Sequence, residues 1–215
     1  EGVTSWQIVN ELNQIDILEG EVTETPPEGA LAPDSYEISP GDTRASLIDR
    51  MTQAQDQILA EAWANRQDSL PYDSPEEALI MASIIEKETG TPDERFLVSS
   101  VFVNRLRQGM RLQTDPTVIY GITRGEGVLG RGIRQSELRA ETPWNTYVIP
   151  GLPPTPIANP GRASIEAALN PDETPYIFFV AKTLNPADGH NFAVTLAEHN
   201  ENVAAYRALE AQRDN

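Results

Sequence analysis

Glu86 closes an almost uninterrupted apolar run from Ala78 to Ile85. At about 100° per residue, Leu79, Ala82, Ser83 and Glu86 stand at offsets 0, 3, 4 and 7 and share one helix face, so the carboxyl group falls on an apolar surface. Desolvation disfavours an ionised carboxylate, and a carboxyl so placed becomes usable as a general acid near neutrality. Glu88, two positions on, points roughly the opposite way and is not read as a close partner. The blander alternative is that Glu86 ends the helix in an ion pair with Lys87 or with an arginine of the next helix.

Other side chains of the right type lie downstream. Gln113-Thr114-Asp115-Pro116-Thr117 is a cluster of hydrogen-bonding groups that a rigid pair of helices can present to a sugar, although Asp-Pro also reads as a turn capping a short helix before Tyr120. Asn145-Thr146-Tyr147 and Asn159-Pro160-Gly161 carry the same two readings, since Asn before Pro is a common cap. His190, after Asp188-Gly189 in a hairpin turn, can hydrogen-bond a substrate or assist Glu86, whereas His199 lies inside a helical pattern. Two histidines without ligand spacing make no case for a metal. Hydrolase-elbow, phosphate-loop and dinucleotide motifs are missing from the sequence, which leaves carboxylate chemistry in front.

The elements that must position these groups are legible in outline. Thr4 caps a short helix with Trp6, Val9 and Leu12 on one face, and residues 21–42 read as an ordered loop anchored by Leu31, Tyr36 and Ile38. A long amphipathic helix spans residues 43–66. Ser74-Pro75-Glu76-Glu77 is the strongest helix start in the chain, predicting a helix to Thr89 that stops at Gly90. Thr91-Pro92-Asp93-Glu94 repeats the signal and opens a second helix to Gly109, giving a tight helical hairpin. Residues 110–161 are loop-like and rich in Gly, Pro, Thr and Asn. Asn159-Pro160 then caps a helix through Leu169, residues 176–181 read as a buried strand with 192–194 as its hairpin partner, and Thr195-Leu196-Ala197-Glu198 is a capping box opening a terminal helix. The class is α+β: a helical core with a catalytic helix hairpin, a loop-rich cleft and a small antiparallel sheet, read as one domain over 1–215 with an N-terminal portion (1–70) and a catalytic core (71–215).

Composition narrows the partners. A net charge of −17 argues against a nucleic-acid binder, which needs a basic footprint, and disfavours anionic lipid; a polymer of amino sugars remains compatible. The lack of cysteine excludes disulfide scaffolds and thiol nucleophiles. No run of apolar residues is long enough to span a bilayer, and Glu1-Gly2-Val3-Thr4 begins inside what reads as a folded pattern, so an upstream segment that includes a membrane anchor is an expectation.

Taken together, Ala82-Ser83-Ile84-Ile85-Glu86-Lys87-Glu88-Thr89, the run from Ser99 to Leu106, Met110 to Gly121, Asn145-Thr146-Tyr147, Gly151 to Gly161 and Ala167 to Pro171 resemble, in order, the motifs of the endolytic murein transglycosylase family (MltG, YceG-like). The segment from Tyr176 to Asn200 continues the resemblance. It implies a domain held in the periplasm by one inner-membrane helix and preceded by a LysM-like subdomain, neither of which lies in these 215 residues. It further implies cleavage of the β-1,4 bond between N-acetylmuramic acid and N-acetylglucosamine in nascent peptidoglycan strands, leaving 1,6-anhydromuramoyl ends, with no cofactor. The same resemblance implies a terminase of strand elongation, with peptidoglycan synthases or divisome proteins as neighbours. On this resemblance Glu86, the first glutamate of Glu-Lys-Glu-Thr, is the catalytic acid/base. Gln113, Thr114, Asp115, Tyr120, Asn145, Thr146, Tyr147, Asn159 and His190 bind substrate, His190 standing in a turn that departs from the family's shorter Gly-Gly-His form. The rival readings are a muramidase that uses water and a glycan-binding scaffold without turnover.

Overall fold

The computed structural model describes residues 1–213. Its central element is the helix α3, Pro75–Glu88, preceded by α1 (Ser5–Asn13) and α2 (Arg44–Ala64). The start of α3 follows from its sequence: Ser74 is extended and its hydroxyl accepts the Glu77 N–H, Pro75 occupies the first turn, and Glu76 and Glu77 face the positive helix end. Ala78, Met81, Ala82, Ile84 and Ile85 are completely buried. At about 1.5–3 kcal/mol for each large apolar side chain withdrawn from water, this helix is a main source of the fold's stability. It packs on α2, on α4 (Arg95–Arg107), on α5 (Asp115–Thr123) and above all on α7 (Arg162–Leu169), whose Ile165, Ala168 and Leu169 complete the core.

A second apolar cluster, Leu12, Leu18, Leu31, Leu47 and Met51, ties α1 to the first half of α2. The buried Arg44 fastens the chain between them, its guanidinium donating to the carbonyls of Leu12 (2.8 Å), Leu18 (2.6 Å) and Ile15 (2.7 Å). The Leu12 and Ile15 carbonyls also accept the backbone N–H groups of Ile15 and Leu18, so the guanidinium reinforces the turns that lead out of α1.

Several elements differ from their sequence prediction. Trp6 is 37% exposed, so the buried face of α1 consists of Ser5, Val9 and Leu12. Thr91 makes no cap: residues Pro92–Glu94 form a 3₁₀ turn, and the Glu94 carboxylate that would close the capping box instead accepts from the backbone N–H and ring of His190. Within the loop-like stretch, Asp115–Thr123 is helical and Gln135–Leu138 forms the single turn α6. The helix α7 begins at Gly161 without a side-chain cap, because the Asn159 side chain is engaged elsewhere. The strands are short: β1 (Phe178–Ala181) pairs antiparallel with β2 (His190–Ala193), Phe178 opposite Ala193 and Ala181 opposite His190. All four residues of β1 are only half-buried. The terminal helix α8 (Leu196–Arg213) opens as its sequence predicts, Thr195 accepting the Glu198 N–H and Glu198 the Thr195 N–H. An α+β architecture with a small antiparallel sheet is the observed class. Among the described residues, no helix is long and apolar enough to cross a membrane.

Candidate active site

The last residue of α3 is Glu88, and it opens onto a cavity of about 570 Å³. That is a normal size for a small-molecule or sugar site. The loop between α4 and α5 supplies Gln113, the first residue of α5 is Asp115, a second loop supplies Tyr147, and β1 and α8 supply Phe178, Phe179, His199 and Asn200. The hydroxyl of Thr114 donates to Glu88 Oε1, and Tyr147 donates its phenolic hydrogen to Asp115 Oδ1 at 2.6 Å.

Burial pushes the Glu88 carboxyl up to about 7; the Asp115 charge adds to the shift and the Thr114 hydrogen bond opposes it. The negative end of the α3 macrodipole acts in the same direction as burial. A glutamate in this setting shares its proton evenly near neutrality, the condition for acting first as an acid and then as a base. Burial, together with the bond to Asp115, also raises the Tyr147 hydroxyl above its ordinary value, so it remains a donor.

The loop carrying Gln113–Asp115 is pinned from behind. Thr146 is fully buried, and its hydroxyl oxygen receives the Thr114 N–H at 3.0 Å and lies 2.8 Å from the Thr117 hydroxyl, while its carbonyl receives the Gln113 N–H at 3.2 Å. Gln113 takes a left-handed conformation, φ +54°, uncommon for a residue with a Cβ. Arg105, buried in α4, holds the same segment through the carbonyls of Arg111 and Leu112 and lies 3.4 Å from Gln113 Oε1.

The structure therefore brings together Gln113, Thr114, Asp115, Thr146 and Tyr147, but around Glu88. Glu86 turns to another side of α3, where its Oε2 accepts the Gly161 N–H at 3.0 Å and its Oε1 lies 3.9 Å from Arg95. That is the ion pair with an arginine of the next helix that the sequence allowed. Asn145 and Asn159, also read as cleft-lining, are buried internal fasteners. Asn145 donates to the carbonyls of Glu137, Leu138 and Ala140 and closes α6. Asn159 accepts the Leu31 N–H at 2.9 Å and donates to the Val3 carbonyl and the Ser5 hydroxyl. Tyr120 lines two other cavities, neither of which Glu88 lines; it donates to the half-buried Glu28, and burial and that carboxylate push its hydroxyl up to about 12. His190 is engaged by Glu94, its Nδ1 lying 2.8 Å from a carboxylate oxygen.

Glu88 was detectable by the argument applied to Glu86. Met81, Ile84 and Ile85 precede Glu88 by seven, four and three residues, a face of larger apolar side chains than Leu79, Ala82 and Ser83. His199 offered no comparable signal, because its place in the cavity depends on how α8 folds back onto β1. Among the described residues, no group of His, Asp or Glu side chains could hold a metal ion.

Comparison with known proteins agrees with this architecture. The model of the YceG-like family matches residues 1–205. The endolytic murein transglycosylase of Bacillus subtilis (strain 168) is 37% identical over 181 residues, covering 84% of this chain and 48% of that protein. The endolytic murein transglycosylase of Streptococcus pneumoniae serotype 2 (strain D39 / NCTC 7466) is 32% identical over 186 residues, covering 83% of this chain and 32% of that one. The chain thus spans half the length of these curated relatives, or less. The crystal structure of a putative yceG-like protein from Listeria monocytogenes superposes with a TM-score of 0.74 at 32% identity, over 94% of this chain and 73% of the other. Matched along nearly its whole length in sequence and in backbone, the chain belongs to the YceG-like family.

Proposed function

We propose that this domain cleaves peptidoglycan glycan strands as an endolytic lytic transglycosylase and that Glu88 is its acid/base. The observation that carries the reading is the Glu88 carboxyl itself, desolvated at the mouth of the cavity, raised to about 7 and held by Thr114. Support for the reaction class comes from the names of the Bacillus and Streptococcus relatives.

Protonated Glu88 donates to the glycosidic oxygen as the bond between N-acetylmuramic acid and N-acetylglucosamine breaks. The resulting carboxylate then takes the proton of the muramoyl C6 hydroxyl while that oxygen bonds to the anomeric carbon, closing the 1,6-anhydro ring. Proton and electron pairs balance without water, so a single carboxyl group completes the cycle. Asp115 faces the same cavity and stabilises developing positive charge on the sugar, while the Gln113 amide, its oxygen turned to Arg105, offers its N–H groups to a sugar oxygen. In this reading Glu86 is a positioning residue that joins α3 to the start of α7 through Gly161. The fuller protein is proposed to carry the domain on an inner-membrane helix facing the periplasm, ending strand growth beside peptidoglycan synthases or divisome proteins.

A second reading is favoured by Asp115, a carboxylate near enough to Glu88 to raise it. Paired carboxylates are the equipment of a hydrolase, with Glu88 as acid and Asp115 directing a water. Mass spectrometry of products from uncrosslinked strands separates the two. Anhydromuramoyl ends made by the wild type and by Glu86→Gln, and lost in Glu88→Gln, are the expected result. Reducing ends would identify a muramidase, and loss in Glu86→Gln with full activity in Glu88→Gln would return the acid/base to Glu86.

A further inference from the structure

One wall of the Glu88 cavity is built by α8, and the group it presents has no role in the chemistry above. His199 stands in the second residue after Ala197, just inside the capping box that fixes the start of this helix. Its ring stacks on Phe178 of β1, with centroids 4.9 Å apart and planes 19° from parallel. Phe178 in turn has the Arg105 guanidinium 5.3 Å from its centroid. The imidazole is thus held by a helix, a strand and an aromatic face before any substrate arrives.

Its hydrogen-bonding state follows from its surroundings. Burial, helped by the nearby Arg105 charge, holds the imidazole below its ordinary pKa, so the ring is neutral at pH 7 and carries one proton. Nδ1 is buried and has no partner. A buried N–H without an acceptor costs about 1–3 kcal/mol, more than a bare lone pair on a weakly solvated nitrogen, so the proton belongs on Nε2. A stacking role alone would be met by an apolar ring without leaving a polar atom unsatisfied. What the histidine adds is one directed neutral donor at the wall of a cavity where the Arg105 guanidinium is already spent on the carbonyls of Ile177, Arg111 and Leu112 and the Tyr147 hydroxyl on Asp115.

We propose that His199 is a substrate-positioning residue whose Nε2–H donates to a hydroxyl or acetamido oxygen of an amino sugar bound beside Glu88. The neighbouring Asn200 and the exposed Leu196 extend the same wall, offering an amide and an apolar surface to the next sugar along the strand. The inference rests on the assignment of this cavity as the glycan site.

The test is binding of uncrosslinked glycan strands to Glu88→Gln and to that variant carrying either His199→Phe or His199→Gln. Phenylalanine keeps the stack and removes the donor; glutamine places an amide N–H near the position of Nε2. One neutral hydrogen bond is worth up to about tenfold in affinity, so phenylalanine is expected to weaken binding by about that factor and glutamine by less than about threefold. In the otherwise wild-type chain, His199→Phe raises KM with little change in kcat, a split that general destabilisation would not produce. Equal affinity for the phenylalanine variant and its parent, or equal loss with phenylalanine and glutamine, would overturn the role of His199. Turnover by Glu88→Gln tests the acid independently: wild-type cleavage by that variant overturns the acid assignment while the binding series still reads the histidine. Failure of Glu88→Gln to retain strands at all overturns both.

Discussion

Thr146 presents its hydroxyl oxygen to the backbone N–H of Thr114 at 3.0 Å, and Thr114 in turn donates to Glu88. The Glu88 carboxyl is therefore held in place by a loop that is itself fixed by a buried threonine from a third segment. Thr146→Val keeps the volume and removes the oxygen, leaving a buried N–H without an acceptor. We expect a stability loss of about 1–3 kcal/mol in urea unfolding. Turnover should fall by more than the fraction unfolded explains, and Thr146→Ser should restore both; normal activity in the valine variant would show that the pinning is irrelevant to the site.

Glu88 also makes stability depend on pH. Its carboxyl titrates at about 7 when folded, against the ordinary glutamate value of 4.5. Between these values the folded chain holds the extra proton, so its stability is fully present below pH 4.5 and falls as pH rises through 7. The loss is up to about 3 kcal/mol, and Glu88→Gln removes it. Melting temperatures of the two proteins should converge at pH 4.5 and diverge in favour of the glutamine variant by pH 8.

Asp115 raises Glu88, so removing its charge should lower the acid. In Asp115→Asn the descending limb of the kcat/KM profile, expected near pH 7 in the wild type, moves to lower pH. A limb that stays put would mean that the titrating group is not Glu88.

Asn159 offers a contrast between binding and architecture. Its side chain joins Leu31 to the N-terminal segment that carries Val3 and Ser5. Asn159→Ala is expected to cost about 2–4 kcal/mol and to expose α1 to proteolysis, given the stranded Leu31 N–H. Weaker glycan binding with unchanged stability would instead restore it to the sugar site.

The helices were legible where local signals and burial agree, as at Ser74-Pro75 and Thr195–Glu198. The Thr91 capping box failed because a tertiary partner, His190, claimed the Glu94 carboxylate. Site residues divided along the same line. Gln113 to Asp115 and Tyr147 were readable as a polar cluster beside a helix end, whereas Asn145 and Asn159 have the same residue type but spend their amides on carbonyls that no local rule identifies. Glu86 and Glu88 could not be separated by composition, since both end an apolar helix. The difference lies in which neighbour each meets, Gly161 and Arg95 for one and Thr114 for the other.

At position 113 the backbone and the cavity favour different amino acids. A left-handed φ of +54° suits glycine, and Gln113→Gly would relieve a cost of about 1 kcal/mol. The same change would delete the amide that meets Arg105 and faces the Glu88 cavity. Selection for thermal robustness alone would therefore drift toward glycine here and strip a side chain from the Glu88 cavity, so a stabilised library of this domain should be screened for glycan binding and cleavage at this codon rather than for melting temperature.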